Sequence, residues 1–175
     1  MYAYIICIGR YYNMNKMNYN ADSIIQGMPQ AVAVINGSRQ FPDISGITRF
    51  YQTNSGVIVF TEVNGLPMAE SKCSQKIFGF HIHGGMSCSG NKNDPFANSG
   101  THYDTANCGH PSHSGDMPPL FGSSGRAVSM FLTNRFTVDE IIGKVIIIHN
   151  DPDDFKTQPS GGAGIKIACG VIRKN

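Results

Sequence analysis

Short strands separated by turn residues fill this 175-residue chain from about residue 30 to its end, and this alternation restricts the fold more than any other feature. Val, Ile, Thr, Phe and Tyr are plentiful, and no long segment repeats its apolar residues with a helical period. Asn36-Gly37, Asn54-Ser55-Gly56 and Asn64-Gly65 each follow a strand-like run and are typical of turns. The pattern predicts an all-β fold, an antiparallel Greek-key barrel or immunoglobulin-like sandwich of about eight strands.

Two long loops interrupt the predicted strands. The first, residues 84–126, is rich in Gly, Ser, Asn and Pro and carries almost no strand signal, and the second spans residues 150–164. Loops of such length in a compact domain are usually functional or disordered. The strands are predicted at residues 31–36, 44–51, 57–63, 76–83, 127–132, 143–149 and 165–172.

Composition limits the domain count and the partners. The length fits one domain, which we place at residues 29–175 after a poorly defined N-terminal extension at residues 1–28. A net charge of +2 without a basic run argues against a nucleic-acid partner, and no apolar stretch reaches the roughly 20 residues of a membrane span. The apolar Tyr4–Gly9 segment lacks the flanks of a signal peptide, so we expect a cytoplasmic protein, in the host cytoplasm if the source is a virus. Met14 or Met17 remains open as an alternative start.

All six histidines lie inside or beside the two loops, between residues 81 and 149. A lone histidine on a strand is more often an ordinary core or surface residue than a ligand, but six in one stretch among Gly and Asp indicate a metal site. His81 and His83 are two apart on one predicted strand, so both imidazoles project from the same face, about 6.6 Å apart at their roots. Both can lean onto one ion, since metal–nitrogen bonds are about 2 Å long, and His149 can add a third nitrogen.

A second set of donors lies in the first loop. Three imidazoles and one carboxylate suit tetrahedral zinc with no open position, which indicates a structural ion. All-imidazole ligation in the strand set suits copper instead, with one face left open to solvent. Cys108 lies near the loop set, and we favour a free thiol over a zinc ligand there. The members of the loop set are His102, His110, His113 and Asp116.

Several motifs in the same order closely resemble the copper/zinc superoxide dismutase family, from about Gln30 to Ile172. The resemblance implies a Greek-key barrel of about eight strands that converts superoxide to dioxygen and hydrogen peroxide by cycling of a histidine-bound copper bridged to a structural zinc. The motifs are Gly79-Phe-His-Ile-His83, Ser99-Gly-Thr-His102, His113-Ser-Gly-Asp-Met-Pro118, Gly143-Lys-Val-Ile-Ile-Ile-His149 and Gly161-Gly-Ala-Gly-Ile-Lys-Ile-Ala-Cys-Gly-Val-Ile172.

The resemblance also assigns the ligands. It makes His102 a deprotonated bridge between the two ions and the carrier of a catalytic proton. It makes Asp153 the residue that links one ligand of each ion, with a solvated loop acid as the alternative. The copper ligands implied are His81, His83, His102 and His149, and the zinc ligands are His102, His110, His113 and Asp116.

Two further features follow from the resemblance. Cys88 and Cys169 match the family's intrasubunit disulfide. Lys166 stands where the family has an arginine that docks superoxide at the mouth of the copper channel. Lysine keeps the charge but lacks the rigid two-point fork, so we expect reduced turnover or weaker anion inhibition, without loss of function. A surface lysine on an edge strand is the alternative.

Superoxide is therefore the expected substrate, and copper and zinc, one of each per subunit, are the expected cofactors. A homodimer is also expected, and a copper chaperone is compatible with the sequence without being required by it. Two rival classes remain open: a dismutase-like metal-binding domain without catalysis, and a zinc hydrolase.

Overall fold

A computed structural model describes residues 25–71 and 76–175, so the predicted N-terminal extension lies mostly outside the described residues. The regular secondary structure of the described part is almost entirely β-strand, which confirms the all-β prediction. No helix within it has the length and apolar character needed to cross a membrane. The strands are β1 Ala31–Gly37, β2 Ser45–Thr53, β3 Gly56–Asn64, β4 Lys76–Phe78, β5 Phe80–His83, β6 Leu120–Gly122, β7 Ala127–Thr133, β8 Val145–His149 and β9 Lys166–Lys174. A short α-helix, α1 Val138–Ile141, and a 3₁₀ helix, Ala97–Ser99, lie between strands.

Seven strands form one antiparallel sheet in the order β5-β8-β9-β1-β2-β3-β7, and β4 pairs with β6 in a second, two-stranded sheet. The first three strands are sequential neighbours, whereas β9 returns to lie between β8 and β1. This return connection is the mark of a Greek key. The larger sheet curls into a half-barrel, in agreement with the predicted architecture.

The curled sheet encloses a core of aliphatic and aromatic side chains. Strand alternation sends Phe80 and Ile82 of β5 into this core, together with Ile146 and Ile148 of β8. Ile147 points to the opposite face of β8, where it packs in a smaller apolar cluster. Strand β8 is therefore buried on both faces, and the outer face of β5 and β8 lies beneath the first long loop rather than in solvent.

The structure departs from the predicted strands in three places. The single strand expected at residues 76–83 is interrupted at Gly79, where a Cβ atom would lie 2.7 Å from the Cβ of Ala163, so glycine lets the second loop pack against the strand. Strand β6 lies inside the segment that was expected to carry almost no strand signal; its three residues pair with β4. The short helix α1 was not predicted, and it begins at a capping box in which Glu140 Oε2 accepts hydrogen bonds from the backbone and hydroxyl of Thr137.

A disulfide bond joins Cys88 in the first loop to Cys169 in β9, as predicted. It fixes the loop over the outer face of β8, where Phe96 packs against Val145 and Ile147. The outer face of the sheet therefore has an apolar base and a covalently anchored cover. The histidines lie on this same face.

Candidate metal centre

Four buried histidines converge on the outer face of the sheet. His81 and His83 alternate with core residues along β5, and His149 ends β8, where the ladder with β9 shifts register. The first loop contributes His102, whose backbone forms an isolated antiparallel β-bridge with that of His83. One ring nitrogen of each lies within 4.8 Å of those of the other three. We call these four residues the four-histidine cluster.

In three of these rings, the nitrogen that points away from the centre of the cluster contacts an oxygen atom of the protein. His83 Nδ1 lies 2.9 Å from the carbonyl oxygen of Gly100, and His149 Nδ1 lies 3.2 Å from that of Gly164. His81 Nε2 lies 2.7 Å from Asp153 Oδ2. A carbonyl or carboxylate can only accept, so each of these nitrogens donates and the second nitrogen keeps its lone pair. The three lone pairs face the centre of the cluster. Histidines that bind metals are usually held in this way, with one ring nitrogen donating to an oxygen atom and the other free to bind the ion.

A second cluster shares His102. Asp116 Oδ1 lies 2.7 Å from His102 Nδ1, and Asp116 Oδ2 lies 3.2 Å from the Nδ1 atoms of both His110 and His113. We call these four residues the mixed cluster. Asp116 is fixed by the backbone N–H of His113, 3.0 Å from Oδ2. Arg135 donates to three carbonyl oxygens of this loop, including those of His113 and Asp116, so the loop is held from outside as well.

Asp153 connects the two clusters. Its Oδ2 accepts from His81 Nε2 at 2.7 Å and its Oδ1 from His110 Nε2 at 2.8 Å. The carboxylate is almost fully buried and also accepts from the backbone N–H of Phe155. The solvated loop acid that the sequence left open is therefore not what the structure shows. One carboxylate orients a ring in each cluster.

Unpartnered buried nitrogen atoms test whether metal ions fit these clusters. Among the described residues, five buried side-chain polar atoms lack a hydrogen-bond partner, and three of them are His81 Nδ1, His102 Nε2 and His110 Nδ1. Leaving a buried polar atom without a partner costs about 1–3 kcal/mol. Three such atoms in one place, all with lone pairs available for an ion, fit a pair of metal sites.

The protonation states also suit metal binding. Burial lowers the pKa of His81 and of His83, and it lowers that of His149 to about 3, so these imidazoles are neutral near pH 7. Burial acts to raise the pKa of Asp116, but the hydrogen bond from His102 and the neighbouring imidazoles lower it to about 2. The clusters thus present neutral nitrogens and one carboxylate, the forms that bind cations.

A cavity of about 680 Å³ opens onto the four-histidine cluster. His83, His102 and His149 line it, and so does Lys166 of β9. The Lys166 amino group donates to Asp94 Oδ2 at 2.8 Å. Anions can reach the imidazoles through this opening past one ammonium group.

The segment from residue 44 to residue 172 matches the family model described as copper/zinc superoxide dismutase. The chain belongs to the copper/zinc superoxide dismutase family. It is 34% identical over 142 residues to the superoxide dismutase [Cu-Zn] of Photobacterium leiognathi, which covers 73% of this chain and 78% of that protein. Superoxide dismutase [Cu-Zn] 2 of Aquifex aeolicus is 30% identical over 146 residues, 75% of this chain and 80% of the relative. The Escherichia coli K12 superoxide dismutase [Cu-Zn] is 31% identical over 142 residues, which cover 73% of this chain and 78% of that protein.

Membership establishes the activity and the cofactors. The chain is a superoxide dismutase, an oxidoreductase that uses copper and zinc, and its two clusters are suited to hold these ions. Cys108 is an exposed free cysteine outside both clusters.

Sequence reasoning missed the groups that hold the donors in place. The carbonyl oxygens of Gly100 and Gly164 carry no sequence signal, because any residue supplies a carbonyl. Arg135 lies outside the loop that it holds, and nothing in its surroundings marks it. Asp94, the partner of Lys166, is one of several acidic residues in the first loop, and the sequence does not indicate which of them contacts the lysine.

Proposed function

We propose that the four-histidine cluster binds the copper ion of this dismutase and the mixed cluster binds the zinc ion, with His102 shared. One observation carries the assignment: the His102 ring has its unpartnered Nε2 among the other three histidines and its Nδ1 against Asp116. The orphaned His81 Nδ1 and the Nε2 atoms of His83 and His149 supply the remaining copper donors. The zinc donors are His102 Nδ1, His110 Nδ1, His113 Nδ1 and a carboxylate oxygen of Asp116.

The protein residues then divide the work. Copper, when bound, supplies the one-electron redox cycle that turns one superoxide into dioxygen and the next into hydrogen peroxide, while zinc keeps a fixed charge. His102 lines the cavity and can take up and release a proton at Nε2, while its Nδ1 stays against the mixed cluster. Asp153 keeps His81 and His110 in register with each other, so the two clusters keep their relative positions.

Lys166 is proposed as the group that attracts and docks superoxide. Lys166 lines the same cavity as His149 and His83, and its positive charge favours the approach of an anion. Because lysine offers a point charge where arginine offers a planar fork, Lys166→Arg is expected to raise the rate constant for dismutation. Pulse radiolysis measures this rate, and an unchanged or lower value would contradict the proposed role.

Metal analysis with an activity measurement tests the ligand assignment. The purified protein should hold one copper and one zinc per subunit, and His102→Ala should lower the content of both metals and abolish dismutation. Ser160→Ala is the matched control, since Ser160 lines the same cavity without belonging to either cluster, and it should keep both metals. Zinc without copper in the wild-type protein, or full copper content in His102→Ala, would refute the assignment.

We also propose a homodimer in the cytoplasm. An exposed apolar row on β7, formed by Val128, Met130 and Leu132, supports self-association, because a monomer gains nothing from leaving such side chains in water. The exposed thiol of Cys108 suits a reducing compartment. Sedimentation equilibrium of the metal-loaded protein tests the dimer, and fractionation of the producing cells tests the location.

The domain limits are a proposal as well. Strand β1 begins at Ala31 and pairs along its length with β9, which ends at Lys174, so both ends of residues 29–175 are part of one sheet. A chain that starts at Pro29 should therefore unfold at the same urea concentration as the full chain. A lower midpoint would assign the extension a structural part.

A further inference from the structure

Two acceptors from the first long loop hold the ammonium group of Lys166. Its Nζ donates to Asp94 Oδ2 at 2.8 Å and lies 3.3 Å from the carbonyl oxygen of Phe96. The Lys166 side chain is 16% exposed and that of Asp94 is 39% exposed, so water screens the lysine end of this pair less than the aspartate end. An ammonium carries three N–H donors, and these two acceptors leave one donor for another partner.

The residues that line the cavity indicate where this third donor is available. Lys166 lines the cavity together with His83, His102 and His149, whereas Asp94 and Phe96 lie outside the lining. Lys166 is thus the member of this group that belongs to the cavity wall. A donor that the loop leaves free is available to an anion that enters this cavity.

Asp94 is itself held firmly enough to position another group. Its Oδ1 accepts from the Phe96 backbone N–H at 2.9 Å, and its own backbone N–H donates to Asn91 Oδ1 at 3.0 Å. The Asp94 carbonyl also accepts from the backbone N–H groups of Asn91 and Ala97. The Cys88–Cys169 disulfide anchors this loop to the same strand that carries Lys166. The acceptor and the lysine therefore share one framework.

We propose that Asp94 is a positioning residue that fixes the Lys166 ammonium at the cavity mouth with one N–H directed to an incoming anion. A free lysine is a flexible point charge, and a guanidinium is a rigid fork. The tether to Asp94 and Phe96 gives this lysine a fixed direction that its own chemistry does not provide. This inference rests on the proposed role of Lys166 as the anion-docking group.

Two substitutions separate positioning from charge. Asp94→Asn and Asp94→Ala remove the same negative charge, so any change in long-range attraction is equal in both. Only asparagine keeps an oxygen that can accept from Lys166, and this one oxygen replaces the two that accept from Lys166 and from the Phe96 N–H in the wild type. Azide is the probe, and its affinity for the copper-loaded protein is read from the visible absorption spectrum. We expect Asp94→Ala to bind azide about fivefold more weakly than Asp94→Asn, in line with the loss of one ordinary hydrogen bond. The dismutation rate constant should fall in the same order.

The same pair of substitutions in a Lys166→Ala background shows whether Asp94 acts through the lysine. The difference between the asparagine and alanine variants should vanish there, because the group being positioned is gone. A difference that persists, or an alanine variant that binds azide as well as the asparagine variant, would overturn the proposal.

A measurement on the metal-free protein keeps this inference apart from the proposed function. NMR of the Lys166 ammonium should show slowly exchanging protons in the wild type and in Asp94→Asn, and their loss in Asp94→Ala. If the signal is equally protected in Asp94→Ala, the tether does not exist and the inference is wrong. If Lys166→Ala leaves both azide affinity and the dismutation rate unchanged, it is the proposed role of Lys166 that fails.

Discussion

Removing the Cys88–Cys169 disulfide should lower the free energy of unfolding by an amount that the structure allows us to work out. The two cysteines are 81 residues apart, so the bond closes a loop that includes both metal-binding segments of the first loop and all of β8. The chain-entropy relation, applied to this separation at 25 °C, gives about 4.5 kcal/mol. Because the bond acts by restricting the unfolded chain, the same loss of unfolding free energy should be seen in the metal-free protein.

Urea unfolding of the metal-free protein, followed by far-UV circular dichroism, measures this loss. With a denaturant slope of about 2 kcal/mol per molar urea, Cys88→Ser combined with Cys169→Ala should lower the midpoint by about 2 M. Reduction of the wild-type disulfide should give the same shift without any substitution. Cys108→Ser is the control, because that cysteine is exposed and unpaired, and it should leave the midpoint unchanged. A loss below about 1 kcal/mol in both the double variant and the reduced wild type would refute the loop-entropy reasoning.

Two further predictions concern the clusters. Gly161→Ala should sharply reduce the zinc content, since its new Cβ would collide with Asp153 Oδ1 and lie 2.7 Å from His110 Nε2. Gly162 has a similarly positive φ, but a Cβ there would have no neighbour nearer than 3.6 Å, so Gly162→Ala should keep its zinc. Equal zinc losses in the two variants would point to backbone strain alone. Metal-free protein should lose stability as the pH falls from about 6.5, because unfolded histidine takes up protons there while burial lowers the pKa of folded His149 to about 3; each such histidine contributes about 1.4 kcal/mol per pH unit, and urea midpoints that stay flat between pH 7 and pH 5 would contradict this.

The fold could be predicted from the sequence where local pattern and burial agree. Alternation along residues 76–83 predicted that His81 and His83 share one face of the strand, and in the structure they do, with Phe80 and Ile82 in the core on the other face. Strand β6 was missed because three residues are too short to show a period, and its pairing with β4 depends on the curl of the whole sheet. The interruption at Gly79 follows from contact with Ala163, 84 positions further along the chain, which no local pattern reveals.

The metal centre divides in the same way, and the division has a physical cause. A donor to a metal must be one of a few side-chain types, so residues such as His102 and Asp116 stand out in the sequence. The atoms that orient the donors are under no such restriction: the backbone carbonyl of Gly100 holds His83, whereas the carboxylate of Asp153 holds His81. Lys166 shows the consequence. Its departure from the family arginine is visible in the sequence, but the acid that fixes its direction lies 72 residues earlier, and only the folded loop makes that acid its partner.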